Sequence, residues 1–149
     1  MHPRAGGVLT DGVLDVLIEI PAWSFRKVSV TPDAGWKPEF WSLVPCPFNY
    51  GSAPDVPAPD GEGQDVIVIG PRLRRGDRVR VSPRLRVEFI DGGVPDDKLV
   101  ARLDGAPLGV LDHLRVRLFF LVYTWFKRAR QALRGQPIGG TVVTGYRAI

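Results

Sequence analysis

Asp60-Gly61-Glu62-Gly63-Gln64-Asp65-Val66-Ile67-Val68-Ile69 is the stretch whose reading decides this chain. Its second half is continuous and β-branched, the pattern of a strand covered on both faces and therefore central in a sheet. Its first half sets three carboxylates among glycines, so the strand emerges from an acidic turn. The Asp60/Asp65 spacing recurs at Asp91 and Asp96 across Asp91-Gly92-Gly93-Val94-Pro95-Asp96, with Lys98 two residues beyond.

If the two turns meet, then with Glu62 and Glu19 up to six acids share one place. Like charges a few ångströms apart repel by about 4 kcal/mol per pair at an effective dielectric near 20. A cluster of this kind needs hard cations, raised pKa values or solvent. Oxygen ligands with water completing the shell describe magnesium, and magnesium is held where phosphate is handled.

Outward from that strand, residues 13–20 alternate, with Val16, Ile18 and Ile20 on one face and Leu17 and Glu19 on the other. Residues 26–30 read as the hairpin partner, after a turn at 21–24. Residues 31–63 show no clear period. They read as an ordered excursion, because Trp36, Phe40, Trp41, Phe48 and Tyr50 give it something to bury. Residues 78–82 and 84–90 alternate basic and apolar side chains, with Pro83 marking a bend. Residues 98–103 form a further strand and 141–144 a short last one. Residues 114–133 read as the one long helix, closed by Gly135 and Pro137. Many short strands with one helix predict an α+β, mainly β chain: a five-stranded OB-like β-barrel with a long C-terminal helix, in a single domain over 1–149.

The bulk numbers agree. A chain of 149 residues buries roughly 70% of its unfolded surface. Fourteen prolines and seventeen glycines argue against a helical bundle. The single cysteine, Cys46, excludes an internal disulfide and reads as a small packed residue of a reducing compartment. The N-terminus leads into no apolar signal core, and the most apolar run, 118–126, is nine residues, about half a membrane span. The chain therefore reads as cytoplasmic, with no membrane partner. A net charge of +4 hides a division. Residues 55–65 hold four acids and no base, whereas 115–134 hold six bases and no acid. No nucleic-acid motif accompanies those bases, which read as a solvated face. His2 and His113 have no metal-ligand company.

Several segments, in order, resemble the soluble (family I) magnesium-dependent inorganic pyrophosphatases. The carriers are Leu17-Ile18-Glu19-Ile20-Pro21-Ala22 with Lys27, then Pro47-Phe48-Asn49-Tyr50-Gly51, then Asp60 through Ile69. Asp91 through Lys98-Leu99-Val100-Ala101 and Phe119-Phe120-Leu121-Val122-Tyr123 complete the series. The resemblance implies Mg2+ ligands at Asp60, Asp65, Asp91 and Asp96, with Glu19 as a supporting carboxylate. It implies phosphate contacts from Lys27, Tyr50, Lys98 and Tyr123, and an acid at Glu62 that handles the attacking water beside Asp65. The substrate implied is a small diphosphate, and identical copies assemble.

The departures from the family pattern are specific. Glu62 stands for aspartate, Ser29 for a glutamate, Cys46 for a tyrosine, Gly92 for an acid and Thr124 for a lysine, and Lys37 or Pro38 falls where an arginine is expected. The missing arginine and lysine serve the departing phosphate. Two competing readings follow: an organic diphosphate whose apolar tail meets Trp36, Trp41 or Trp125, and a non-catalytic relative kept for binding or assembly. Without the resemblance, the acidic loop reads as solvated turns, Lys27 and Tyr50 as strand residues, and Tyr123 as core.

Overall fold

A computed structural model describes residues 12–24, 26–31, 35–41, 46–58 and 61–149, with backbone alone for 26–31 and 35–41. The order is β1 (Leu14–Ile20), β2 (Arg26–Thr31), β3 (Gly35–Trp41), β4 (Asn49–Pro57), β5 (Gly63–Ile69), β6 (Arg78–Val81), β7 (Leu85–Asp91), β8 (Val94–Pro95), β9 (Lys98–Arg102), α1 (Val110–Leu133) and β10 (Val142–Ala148). The main sheet runs β10-β7-β9-β5-β4-β1-β6, with β8 on β7. Only the β5–β9 pair is parallel among its described ladders.

The central strand is the one its sequence marked. In β5, Val66 and Val68 point to one core while Ile67 and Ile69 point to another, and the first three of these are fully buried. The period of two that separates the faces of any strand is thus used on both sides. The first core gathers Leu14, Val16, Ile18, Ala53, Val66, Val68, Val81, Leu99 and Ala101. Its members come from five strands, β1, β4, β5, β6 and β9, and from none of the helix. A sheet that buries one face this completely without a helix curls over it, in a barrel-like manner. The strand path itself is open, since no described pairing joins β6 to β10.

On the outer face, Val116 and Phe120 of α1 lie against Phe48, Ile67, Ile69, Leu85, Val87, Phe89 and Val100. The helix begins four residues before the expected start. Asp112, at its third position, accepts a hydrogen bond from the Gly109 N–H at 2.9 Å and takes Arg102 at the same distance. An acid in the first turn satisfies an otherwise orphaned donor. The end falls where expected, with Gly135 at φ +68.

Other boundaries differ from the sequence reading. β2 pairs with β3 in a separate two-stranded sheet, and the neighbours of β1 are β4 and β6. The excursion at 31–63 contains two strands. β6 and β7, adjacent around Pro83, lie at distant positions in the sheet. His113 lies inside the helix instead of preceding it.

Candidate active site

β1, β4, β5 and β9 lie side by side, and the register brings polar residues of their outer face into one row. Ser52 of β4 is opposite Asp65 of β5, and Val66 is opposite Leu99, which sets Lys98 beside Asp65. The Ser52 hydroxyl donates to Glu19 at 2.6 Å. Glu19 is 6% exposed in an apolar strand, so a partner is required, and Ser52 is one.

At the centre, the Lys98 ammonium lies 2.5 Å from Asp65 Oδ2 and 2.8 Å from Asp96 Oδ2. Two carboxylates, one on β5 and one just before β9, therefore meet around one buried cation. Burial pulls Lys98 toward neutrality, but Asp65 and Asp96 outweigh it and hold the ammonium above the ordinary lysine range. Asp96 is raised to about 6, by burial first and by the neighbouring Asp65 against the pull of Lys98. Tyr50, whose ring lies 5.7 Å from the Lys98 nitrogen, is raised by burial and by the same two carboxylates.

Asp91 lies one step away. It is held by Lys127 of α1, with the Thr141 hydroxyl 3.5 Å from its other oxygen. The Lys127 nitrogen is 5.0 Å from the Tyr123 ring centroid. Burial opposes its charge, and Tyr123 and Asp91 restore it, for a net rise. Tyr123 stacks on Phe119 at 5.5 Å and touches Phe89, so it joins the site to the outer core.

Five of the expected residues, Tyr50, Asp65, Asp96, Lys98 and Tyr123, thus belong to one electrostatic group, and Asp91 joins it through Lys127. Glu62 lies exposed in the turn before β5. Asp60 lies outside the described residues, as does the side chain of Lys27, whose backbone runs in β2. Among the described residues no three His, Cys, Asp or Glu side chains gather closely enough to hold a metal. The pair that does meet, Asp65 and Asp96, offers hard oxygen donors around a point where positive charge is already required. Those donors fit a hard divalent ion.

Several positioning residues escaped sequence reasoning. Gln64 donates to the Asp97 carbonyl at 2.6 Å and ties the start of β5 to the second acidic turn. Asp97 accepts from the Phe89 N–H at 3.1 Å and takes Arg86 at 3.4 Å, fixing that turn from the other side. Asn49, fully buried, accepts from the N–H groups of Ala22 and Leu73 and donates to the carbonyls of Val68 and Pro71, anchoring the strand that presents Tyr50. A buried amide within an apolar strand was the available signal for Gln64 and Asn49. Trp125, placed with the departing phosphate in the organic-diphosphate reading, is 71% exposed on the side of α1 away from Val116 and Phe120.

The family model described as inorganic pyrophosphatase matches residues 16–136. An inorganic pyrophosphatase of a Synechocystis species is 32% identical over 93 residues, which is 60% of this chain and 55% of that protein. One of a Nostoc species is 32% identical over 100 residues, 64% of this chain and 59% of its own length. The chain thus matches somewhat more than half the length of these relatives. Among solved structures, the inorganic pyrophosphatase of Thermus thermophilus superposes with a TM-score of 0.78 at 22% identity, covering 95% of this chain and 86% of that one. That of Neisseria gonorrhoeae gives 0.77 at 22% identity, over 92% and 83%. At such identity these superpositions speak for the fold.

Proposed function

Since the chain belongs to the inorganic pyrophosphatase family, we propose that it hydrolyses inorganic diphosphate to two phosphates with magnesium as its metal. The observation that carries this reading is Lys98, clasped by Asp65 and Asp96 beneath Tyr50. Carboxylates that converge on a cation, with lysines and a phenol at the rim, match the charge pattern of a metal diphosphate. Asp65 and Asp96 would hold the metal, joined by Asp60 and by Asp91. Bound there, magnesium supplies a Lewis acid that acidifies a water and neutralises phosphoryl charge.

The chain's own groups do the rest. Lys98, Lys27 and the Tyr50 and Tyr123 hydroxyls orient phosphoryl oxygens, because phosphoryl transfer depends on positioning and charge. Glu62 steers the proton of the attacking water, and Glu19 supports the Asp65 side of the site through Ser52. Lys127 supports activity despite Thr124. It stands one helical turn beyond Tyr123 with its ammonium on Asp91, and so supplies positive charge from the helix that the family draws from the residue after the tyrosine.

The test is phosphate release from inorganic diphosphate with and without magnesium, in the wild type and in Asp65→Asn. Turnover that requires magnesium and falls at least 100-fold in Asp65→Asn is expected, as for loss of a metal ligand. Magnesium-independent turnover, or an undiminished variant, would remove the carboxylate pair from the reaction. A folded protein inert toward inorganic diphosphate would favour the binding or assembly reading.

A further inference from the structure

The turn after β5 and strand β6 carry the densest positive charge of the chain. Between Gly70 and Val87 stand seven arginines and a single acid, Asp77. That acid is engaged, since its carboxylate accepts the Arg74 N–H at 2.8 Å and closes the turn. Arg80 meets Asp15 at 3.3 Å and Arg86 meets Asp97 at 3.4 Å. Arg72, Arg74 and Arg78 are exposed, and among the described residues no carboxylate side chain pairs with them.

Register sets this charge in line with the site. Leu17 of β1 pairs with Ser52 on one side and with Arg78 on the other, and Ser52 pairs with Asp65. Residues directly opposite across a ladder share a face, so Asp65, Ser52, Leu17 and Arg78 form one row. Three strand spacings, about 14 Å, separate its ends. The turn is also clasped to β1. The Gly76 N–H donates to the Ile18 carbonyl and the Ile18 N–H to the Asp77 carbonyl, both at 2.8 Å. Arg75 Nε donates to the Glu19 carbonyl at 2.9 Å, which fixes its guanidinium beside the residue that Ser52 holds. That bond uses one of five donors and leaves four. Arg115 and Arg117 of α1 are committed elsewhere, over the Phe48 ring at 5.2 Å and the Tyr146 ring at 4.3 Å. The departing end of a substrate, for which the expected arginine and lysine are missing, thus finds its guanidinium groups at β6.

We infer that Arg75 and Arg78 receive a third phosphate, and that free linear triphosphate is a second substrate of the site. The inference rests on the diphosphatase reading and extends it by one phosphate. A row of this span holds a longer anion than diphosphate, and a planar fork of donors matches a terminal phosphate bidentately. In the reaction, a water oxygen bonds to the phosphorus at the Asp65 end as the bridging P–O bond breaks. The electron pair of that bond leaves on diphosphate, held by the arginines, and the water's proton passes through Glu62 to solvent.

Two measurements on the full chain with magnesium test it. One is turnover of inorganic triphosphate and of inorganic diphosphate, and the other is calorimetric binding of their methylene-bridged analogues. The wild type is expected to release phosphate from triphosphate and to bind the longer analogue about tenfold more tightly. Arg78→Ala should remove that preference and lower the triphosphate-to-diphosphate ratio of kcat/KM by about tenfold. Arg75→Gln should lower both in the same direction. Arg84→Ala removes an equal charge outside the row and should keep both ratios at the wild-type value. Diphosphate turnover without triphosphate turnover, or a ratio unchanged in Arg78→Ala, overturns the subsite and leaves the diphosphatase reading intact. Should neither anion be turned over, that reading fails, and the analogue preference alone decides the subsite. A ratio lowered equally by Arg84→Ala reflects only the general field of the surface and also overturns it. Turnover of a nucleoside triphosphate as fast as of the free anion overturns the assignment to an unesterified end.

Discussion

Lys98 shows how one side chain can hold the site together before any ligand arrives. It is 5% exposed and satisfies two carboxylates at once, so its removal leaves two facing acids with no cation. Breaking a buried pair in this way costs about 3 kcal/mol. The cost should depend on pH, and the sign can be worked out. The folded-state pKa of Asp96 is raised to about 6, so the fold holds a proton there that the unfolded chain releases near 4. The ionised group therefore weakens the fold above pH 6, and that penalty fades as pH falls below it. The Lys98 contribution has the opposite course: its raised pKa keeps it whole below the unfolded lysine value and loses it only in strong alkali. In Lys98→Met the full loss should appear at pH 8 and less than half of it at pH 5, where Asp96 is protonated. Urea unfolding of wild type and variant at both values checks this, and an equal loss at both would mean that the two carboxylates do not feel each other. The participants at this centre were legible in the sequence, because their spacings echo a known family. Lys127 was not. A lysine in the basic last third of a helix looks like one more solvated charge, and only the fold shows it turned onto Asp91.

The strands that present these residues were legible in proportion to how local their signals are. β5 announces itself by an unbroken β-branched run, and the α1 terminus by Gly135. β4 did not, since Pro54 and Pro57 disguise a strand whose pairing with β5 shifts after Ala53. The partner of β2 was misassigned for a related reason: sequence proximity favours a hairpin with β1, whereas the sheet gives β1 to β4 and β6. What fixes the β1–β4 contact is Gly51. A Cβ there would lie 2.2 Å from the Leu17 carbonyl oxygen, which is backbone and cannot rotate aside. Gly51→Ala should therefore spread the two strands and cost about 3 kcal/mol, at the top of the overpacking range. The neighbouring residue is Tyr50, so the same variant should lose diphosphate binding in calorimetry beyond its loss of stability. A variant as stable as the wild type would show that β1 and β4 lie further apart than described.

At the scale of the molecule, two cores back onto one strand pair, and this arrangement sets an order of stability across the chain. The backbone of Val66–Ile67–Val68 and of Leu99–Val100 is paired on both sides and covered on both faces, with every one of these residues at most 1% exposed. Local opening there must break both cores together. Among the described residues, β2 and β3 form a sheet of two strands that no ladder joins to the main one, and an isolated pair of strands is marginal in water. Among the described strands β10 pairs with β7 alone, at an end of the strand path. Amide hydrogen exchange should therefore be slowest in β5 and β9, where it follows global unfolding, intermediate in β10, and fastest in β2 and β3. Added magnesium and a non-hydrolysable diphosphate should slow the turns around Asp65 and Asp96 most, because those turns are where the ligand would replace the Lys98 clasp, and should leave the first core almost unchanged. The unequal protection is a direct consequence of topology, so exchange in β2 and β3 as slow as in β5 would mean that a second layer covers them and that the two-core division is wrong.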